Sequence, residues 1–202
     1  MASIEDLTSS GLAPEAALLL ATAGGPVMDG PIQRLAARVV NWTRFLQLAA
    51  QERAEAIVVQ RFKELGVALP AAVDKELKVT ALRADLRMAR LTQRLEETLR
   101  AYQAARLPVV LLKGAALGKT VYGFVPRRPM LDLDLLIPAD RRQEALSIAL
   151  ATGWATTPLS QYQDFYNEHH HLPPLVDARS NQFNLELHTG LMPAGHPFAW
   201  PI

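Results

Sequence analysis

Two aspartates one residue apart, Asp132 and Asp134, lie inside the apolar run Leu131 to Ile137. In an extended strand alternate side chains share a face. The two carboxylates then project together, roughly 7 Å apart along the backbone, while Leu131, Leu133 and Leu135 face a core. Carboxylates fixed in this way can hold one or two divalent cations, because hard oxygen donors suit Mg²⁺ or Mn²⁺. The plainer alternative is an edge strand with one wet face and both aspartates solvated. Burying the pair with no cation would place like charges in a poorly solvated site.

Upstream, Val109-Val110-Leu111-Leu112 looks like a buried strand that stops at Lys113-Gly114. A glycine there permits a tight turn and lets backbone N–H groups approach a ligand. Ala115 to Tyr122 is a plausible short helix closed by Gly123, and a Pro-containing loop with Arg127 and Arg128 leads to the Asp-x-Asp strand. Strand, turn, helix, arginine loop and acidic strand follow one another in a single short stretch.

Downstream, Phe183 to His188 alternates, with Asn184, Glu186 and His188 on one face and Phe183, Leu185 and Leu187 on the other. A polar turn at Arg179-Ser180-Asn181 separates it from Leu175-Val176-Asp177, which suggests a hairpin. The three consecutive histidines His169, His170 and His171 invite a zinc hypothesis, since imidazole is a common transition-metal ligand. Adjacent residues point different ways, however, so at most two could meet one ion, and a substrate-side or packing role for His170 and its neighbours is the favoured reading. His188 shares a face with Glu186, where it could orient that carboxylate or a phosphate, or simply cap the strand.

The elements that must position these groups are mostly helical. Pro14 to Ala23 reads as a short helix, and Pro31 to about Leu65 as helix with a break near Ala50 to Arg53. A second long helix is expected from Pro70 to Ala105, with Leu82, Leu86, Leu91, Leu95, Leu99 and Tyr102 as its packed face. Arg83, Arg87, Arg90 and Arg94 fall on another stripe. Residues 31–106 carry 14 Lys plus Arg against 8 Asp plus Glu. Such a surface could meet phosphates, but a solvated face balanced by Asp85, Glu96 and Glu97 is the favoured reading. After the acidic strand, Asp140 is a suitable N-cap for a helix that ends at Gly153, followed by a short strand from Trp154.

Composition sets the outer bounds. Half of the 202 residues are hydrophobic and 20% charged, as in ordinary globular chains. A formal charge of +1 gives no overall argument for nucleic acid or membrane, and the absence of Cys excludes disulfides, thiolate metal sites and Cys nucleophiles. No apolar run approaches a bilayer span, and acidic Glu5, Asp6 and Glu15 precede the apolar stretch at Ala16, unlike a signal peptide. A cytoplasmic protein is the default expectation. The end of the chain, with Pro193, Pro197 and Pro201, reads as a loop cut short.

The run LLKGAALGKTVYGFVPRRPMLDLDLLIPADRRQEALSIALATGW, residues 111–154, resembles the uncharacterised nucleotidyltransferase family of the DNA polymerase β-like nucleotidyltransferase superfamily. Members read L-K-G-x-A-L, then Y, then R-x-x-D-L-D-L-L-V, then a helix and G-[YW]. The segment from His170 through FNLELHTGL, with its [DE]-L-H strand, resembles it too. So, less specifically, does the helical stretch around Trp42, Leu46 and Arg53. The superfamily normally has Gly-Ser where this chain, like the family's members, has Lys113-Gly114.

The resemblance implies an α+β fold: a lead-in over residues 1–30, a helical region over 31–106, and over 107–202 a small mixed β-sheet nucleotidyltransferase core flanked by helices. Similar proteins usually carry further helical sequence, so a fragment or shortened member is expected. The implied activity is metal-dependent transfer of NMP from an NTP to a hydroxyl acceptor. Asp132, Asp134 and Glu186 (usually Asp in the superfamily) would hold Mg²⁺ or Mn²⁺. Lys113, Gly114 and Arg128 would meet the nucleotide, with His170 and His188 as accessory groups. Two other classes stay open: an Asp-x-Asp glycosyltransferase, and a non-catalytic or truncated binding module on the same scaffold.

Overall fold

The computed structural model describes residues 11–24, 28–39, 41–121, 129–158, 166, 169–192 and 195–197. The fold is α+β, and the chain divides into two compact units, Met1–Arg87 and Met88–Ile202. No helix among the described residues is long and apolar enough to cross a membrane.

The first unit is helical: α1 (Pro14–Thr22), α2 (Asp29–Ala36), α3 (Trp42–Gln51), α4 (Glu55–Glu64) and the first half of α5 (Ala71–Ala104). Its core gathers Leu18, Ile32, Leu35, Phe45, Val58, Phe62 and Leu77, with Phe45 stacked on Phe62 at 5.8 Å. The 31–65 stretch breaks twice rather than once. The expected break falls between α3 and α4, where Arg53 takes a left-handed φ of 53°. The second, before α3, arises because the Asn41 side chain accepts a hydrogen bond from the Arg44 N–H at 2.9 Å and so starts a new helix.

The long helix was expected at 70–105 and spans 71–104, but its packed face differs. In the first unit Val73, Leu77, Ala81 and Ala84 are buried, whereas Leu82 and Leu86 are 59% and 54% exposed. Small alanines at the right phase take the core positions, and the leucines lie off that line. The arginine stripe is corrected at one position: Arg83 and Arg90 are exposed as expected, but Arg94 is not. Arg94 is buried, in ion pairs with Asp177 at 2.9 Å and Glu97 at 2.6 Å, and lies over the Trp154 ring.

The second unit contains the remainder of α5, then β1 (Val110–Leu111), α6 (Lys113–Thr120), β2 (Asp132–Leu136), a 3₁₀ turn (Ala139–Arg141), α7 (Arg142–Ala151), β3 (Trp154–Thr156), β4 (Leu175–Asp177) and β5 (Asn184–His188). The five strands form one mixed sheet in the order β1-β2-β5-β4-β3. β2 and β5 run parallel, and every other neighbouring pair is antiparallel. The β4–β5 hairpin forms as expected, its turn closed by the Asn181 N–H bonding the Asp177 carbonyl at 2.8 Å.

Leu133, Leu135, Leu185 and Leu187, from alternate positions of β2 and β5, enter a core with Leu91, Leu95, Tyr102, Ala145, Ala149 and Trp154. Two buried polar tips are satisfied: the Tyr102 hydroxyl donates to the Ala145 carbonyl at 3.1 Å, and the Trp154 indole N–H to Thr98 Oγ1 at 2.9 Å.

Three local expectations shift. β1 covers two residues rather than four, and Val110 is 56% exposed on this sheet edge. Helix α6 starts at Lys113, two residues before the expected Ala115. Asp140 does not cap α7. It sits in the 3₁₀ turn without a side-chain cap, and Arg141 pairs with Glu144 at the start of the helix. Gly123 lies outside the described residues.

Candidate active site

The parallel pairing of β2 and β5 sets Asp132 opposite Asn184, Asp134 opposite Glu186, and Leu136 opposite His188. Because both strands alternate, Asp134, Glu186 and His188 emerge on the face opposite the leucine core. The Asp134 and His188 side chains are each 3% exposed, and Glu186 is 25% exposed. His188 Nε2 lies 3.0 Å from Asp134 Oδ1 and 3.5 Å from Glu186 Oε2.

A fourth group comes from α6. Lys113 Nζ donates to Asp134 Oδ1 at 2.6 Å and stands 3.7 Å from Glu186 Oε2. The turn that delivers it is tied to the acidic strand, because the Leu112 N–H donates to the Asp134 carbonyl at 2.9 Å. Lys113 itself takes φ +43°, a left-handed conformation that costs an L-residue about 1 kcal/mol. Gly114 follows it in the first turn of α6, where unpaired N–H groups and the helix dipole favour an anion.

The electrostatics follow from this packing. Burial opposes the charge on Asp134, but hydrogen bonds from His188 and Lys113 outweigh it and hold the carboxyl below its ordinary value. The hydrogen bond with His188 likewise lowers Glu186, against burial and the nearby Asp134 charge. Burial depresses His188, yet its bonds to Asp134 and Glu186 raise it above the ordinary histidine value. The same balance, burial against Asp134, raises Lys113.

Asp134, Glu186 and His188 each offer a ligand atom, and these atoms all lie within 4.8 Å of one another. Two carboxylates and an imidazole fit a divalent cation. The carboxylates suit Mg²⁺ or Mn²⁺, and the imidazole adds affinity for transition metals.

Lys113, Asp134, Glu186 and His188 converge, with Gly114 next to Lys113. Asp132 shares the face of Asp134 but lies at the exposed end of β2 and is not one of the close-set trio. The His170 ring centroid stands 5.6 Å from that of His188, and burial followed by the charges of neighbouring histidines and Lys113 lowers its pKa. Arg128 lies outside the described residues.

His169, His170 and His171 pack ring against ring at 5.0–6.1 Å, and His171 bridges to His188 in antiparallel fashion. Sequence reasoning placed His188 beside Glu186, but its nearer partner is Asp134. Only the β2–β5 register reveals that contact.

Searches of curated proteins and of solved structures give no match. A comparison with sequence families matches residues 38–201, four-fifths of the chain, to the family described as "Uncharacterised nucleotidyltransferase". The match covers all four converging side chains and the strands, turn and helix that carry them, and on that evidence the chain belongs to the uncharacterised nucleotidyltransferase family.

Proposed function

We propose that this protein transfers NMP from an NTP to a hydroxyl acceptor, with catalysis carried by the segment 107–202. The observation that carries the reading is the pairing of Asp134 with Glu186 across parallel strands, beside His188 and facing the start of α6.

Asp134 and Glu186 would hold a divalent cation, Mg²⁺ or Mn²⁺, together with Asp132 at the solvent end of the same face. When bound, such an ion would neutralise phosphate charge and lower the pKa of an acceptor hydroxyl. The chain's own groups do the positioning. The N–H groups after Lys113-Gly114 receive the triphosphate, and the Lys113 ammonium neutralises phosphate charge, a role proposed also for Arg128. His188 fixes the Asp134 carboxylate against rotation through the 3.0 Å contact, with His170 packed behind it. The acceptor oxygen then forms a bond to the α-phosphorus, the bond to the β-phosphate bridging oxygen breaks, and pyrophosphate and a proton leave.

Calorimetry with a non-hydrolysable NTP analogue, with and without Mn²⁺, tests this on the wild type and Asp134→Asn. Mn²⁺-dependent binding that Asp134→Asn abolishes supports the reading. No binding by a folded wild type overturns it in favour of a non-catalytic module. Tighter binding of a nucleotide sugar than of the NTP analogue points to glycosyl transfer instead.

A further inference from the structure

Lys113 stands in an unusual place for a phosphate-binding lysine. Its Nζ contacts Asp134 Oδ1 at 2.6 Å and lies 3.7 Å from Glu186 Oε2. His188 Nε2 faces these same two oxygens at 3.0 and 3.5 Å. The ammonium therefore sits against the donor set that a divalent cation would use. The two compete, since a full positive charge beside the nearly unexposed Asp134 carboxylate opposes a second one.

The two partners of Asp134 differ in freedom. His188 is 3% exposed and fixed by the β2–β5 pairing, whereas the Lys113 side chain is 59% exposed and held at its tip. Moving Nζ outward requires only rotation of a flexible stem into solvent. The backbone gives an independent sign that the contact matters. Lys113 holds a left-handed φ of +43°, and the ion pair with Asp134 helps offset that strain.

We propose that Lys113 is a resident counter-ion that holds the cation's place in the free protein and is handed over to phosphate when nucleotide arrives. Without it, Asp134 would be a nearly unexposed carboxylate with only His188 against it, an expensive arrangement. With it, the cation must displace an ion pair to bind alone. An incoming anion draws Nζ away and opens Asp134 and Glu186, so cation and nucleotide strengthen each other's binding. By thermodynamic reciprocity the coupling is equal in both directions. The part played by nucleotide rests on the nucleotidyl-transfer reading, whereas the exclusion of the cation by Lys113 does not.

The test compares wild type, Lys113→Met and Lys113→Arg, titrated calorimetrically with Mn²⁺ alone and with Mn²⁺ plus the NTP analogue. Lys113→Met is expected to bind Mn²⁺ alone about tenfold more tightly than wild type or more, the scale of a close charge pair. It should also lose most of the mutual enhancement with nucleotide, while Lys113→Arg keeps weak binding of Mn²⁺ alone. Unchanged or weaker Mn²⁺ binding by Lys113→Met overturns the proposal, even if wild type binds Mn²⁺ and nucleotide together. Tighter Mn²⁺ binding in a protein that never binds nucleotide upholds the exclusion and sinks only the nucleotidyl-transfer reading.

A second readout needs no variant to fold. In wild type, Mg²⁺ at saturating concentration should shift the Lys113 side-chain NMR signal toward that of a solvent-exposed lysine. An Mg²⁺-bound protein with that signal unmoved is contrary to the proposal.

Discussion

Asp134 and Glu186 are direct register partners across the parallel β2–β5 pair, so the two carboxylates leave the sheet side by side on the face opposite Leu133, Leu135, Leu185 and Leu187. The strand pairing, more than any flexible loop, fixes their separation. A site built on paired strands holds its donors more tightly than one built on loops, and small changes in side-chain length should register in binding.

Glu186→Gln is accordingly expected to leave the fold intact and to weaken Mn²⁺-dependent binding of an NTP analogue by about 100-fold, within the range of losing a charged, hydrogen-bonded ligand. Glu186→Asp keeps the charge on a side chain one methylene shorter and should weaken it by about tenfold. Calorimetric titration separates the two. Equal losses for Gln and Asp would mean that reach matters as much as charge.

The two aspartates of β2 should behave differently in the protein without metal. Asp132 is exposed at the end of β2 and acts on the cluster through its charge near Lys113, so Asp132→Asn should change unfolding free energy by under about 0.5 kcal/mol. Asp134→Asn removes the charge that Lys113 and His188 face and should cost about 1–3 kcal/mol. Urea unfolding monitored by circular dichroism measures both. Both substitutions should impair metal-dependent nucleotide binding.

Arg94 joins α5 to the far side of the sheet. Its guanidinium pairs with buried Asp177, bonds the Thr152 carbonyl at 3.0 Å and covers Trp154. Arg94→Ala should destabilise by about 3–5 kcal/mol because Asp177 loses its buried partner. Arg94→Lys should recover only part of this, since an ammonium cannot reproduce the planar fork. Thermal unfolding of the two variants is the check, and full recovery by lysine would contradict the geometric argument.

Glu97 gives a pH dependence outside the site. Burial opposes its charge, but hydrogen bonds from Arg94, Gln93 and Arg179 prevail and hold its carboxyl below the ordinary glutamate value. The unfolded chain therefore takes up the proton at higher pH than the native one. The stability Glu97 contributes is complete above the ordinary glutamate range and is lost as pH falls through the lowered native value. Glu97→Gln should be less stable than wild type near pH 7 and should lose less stability on acidification, as followed by urea midpoints from about pH 7 to 3.

Much of this architecture was legible locally. The alternation of Leu133 and Leu135 with Asp132 and Asp134 gave β2 and its two faces, and Phe183 to His188 gave β5 in the same way. What was not legible depends on partners distant in sequence. Arg94 reads as one more basic residue on a helix until Asp177 arrives from β4 to neutralise it. Leu82 and Leu86 read as core until the alanines at neighbouring phase prove able to pack closely. The contact between His188 and Asp134 depends on strand register, and a shift of one residue would send His188 to the opposite face.

The parallel pairing of β2 with β5 has a further consequence, for the order in which the protein is made. Asp134 and His188 lie 54 positions apart, and the intervening chain, which carries α7, β3 and β4, must be made before β5 can pair with β2. Pairings of such long range form slowly, because the loss of chain entropy precedes any reward from contact. A chain that has reached β4 possesses half of the leucine core but only one carboxylate of the Asp134–Glu186 pair. The ligand atoms of Asp134, Glu186 and His188, all within 4.8 Å of one another, therefore come together only when β5 docks on β2.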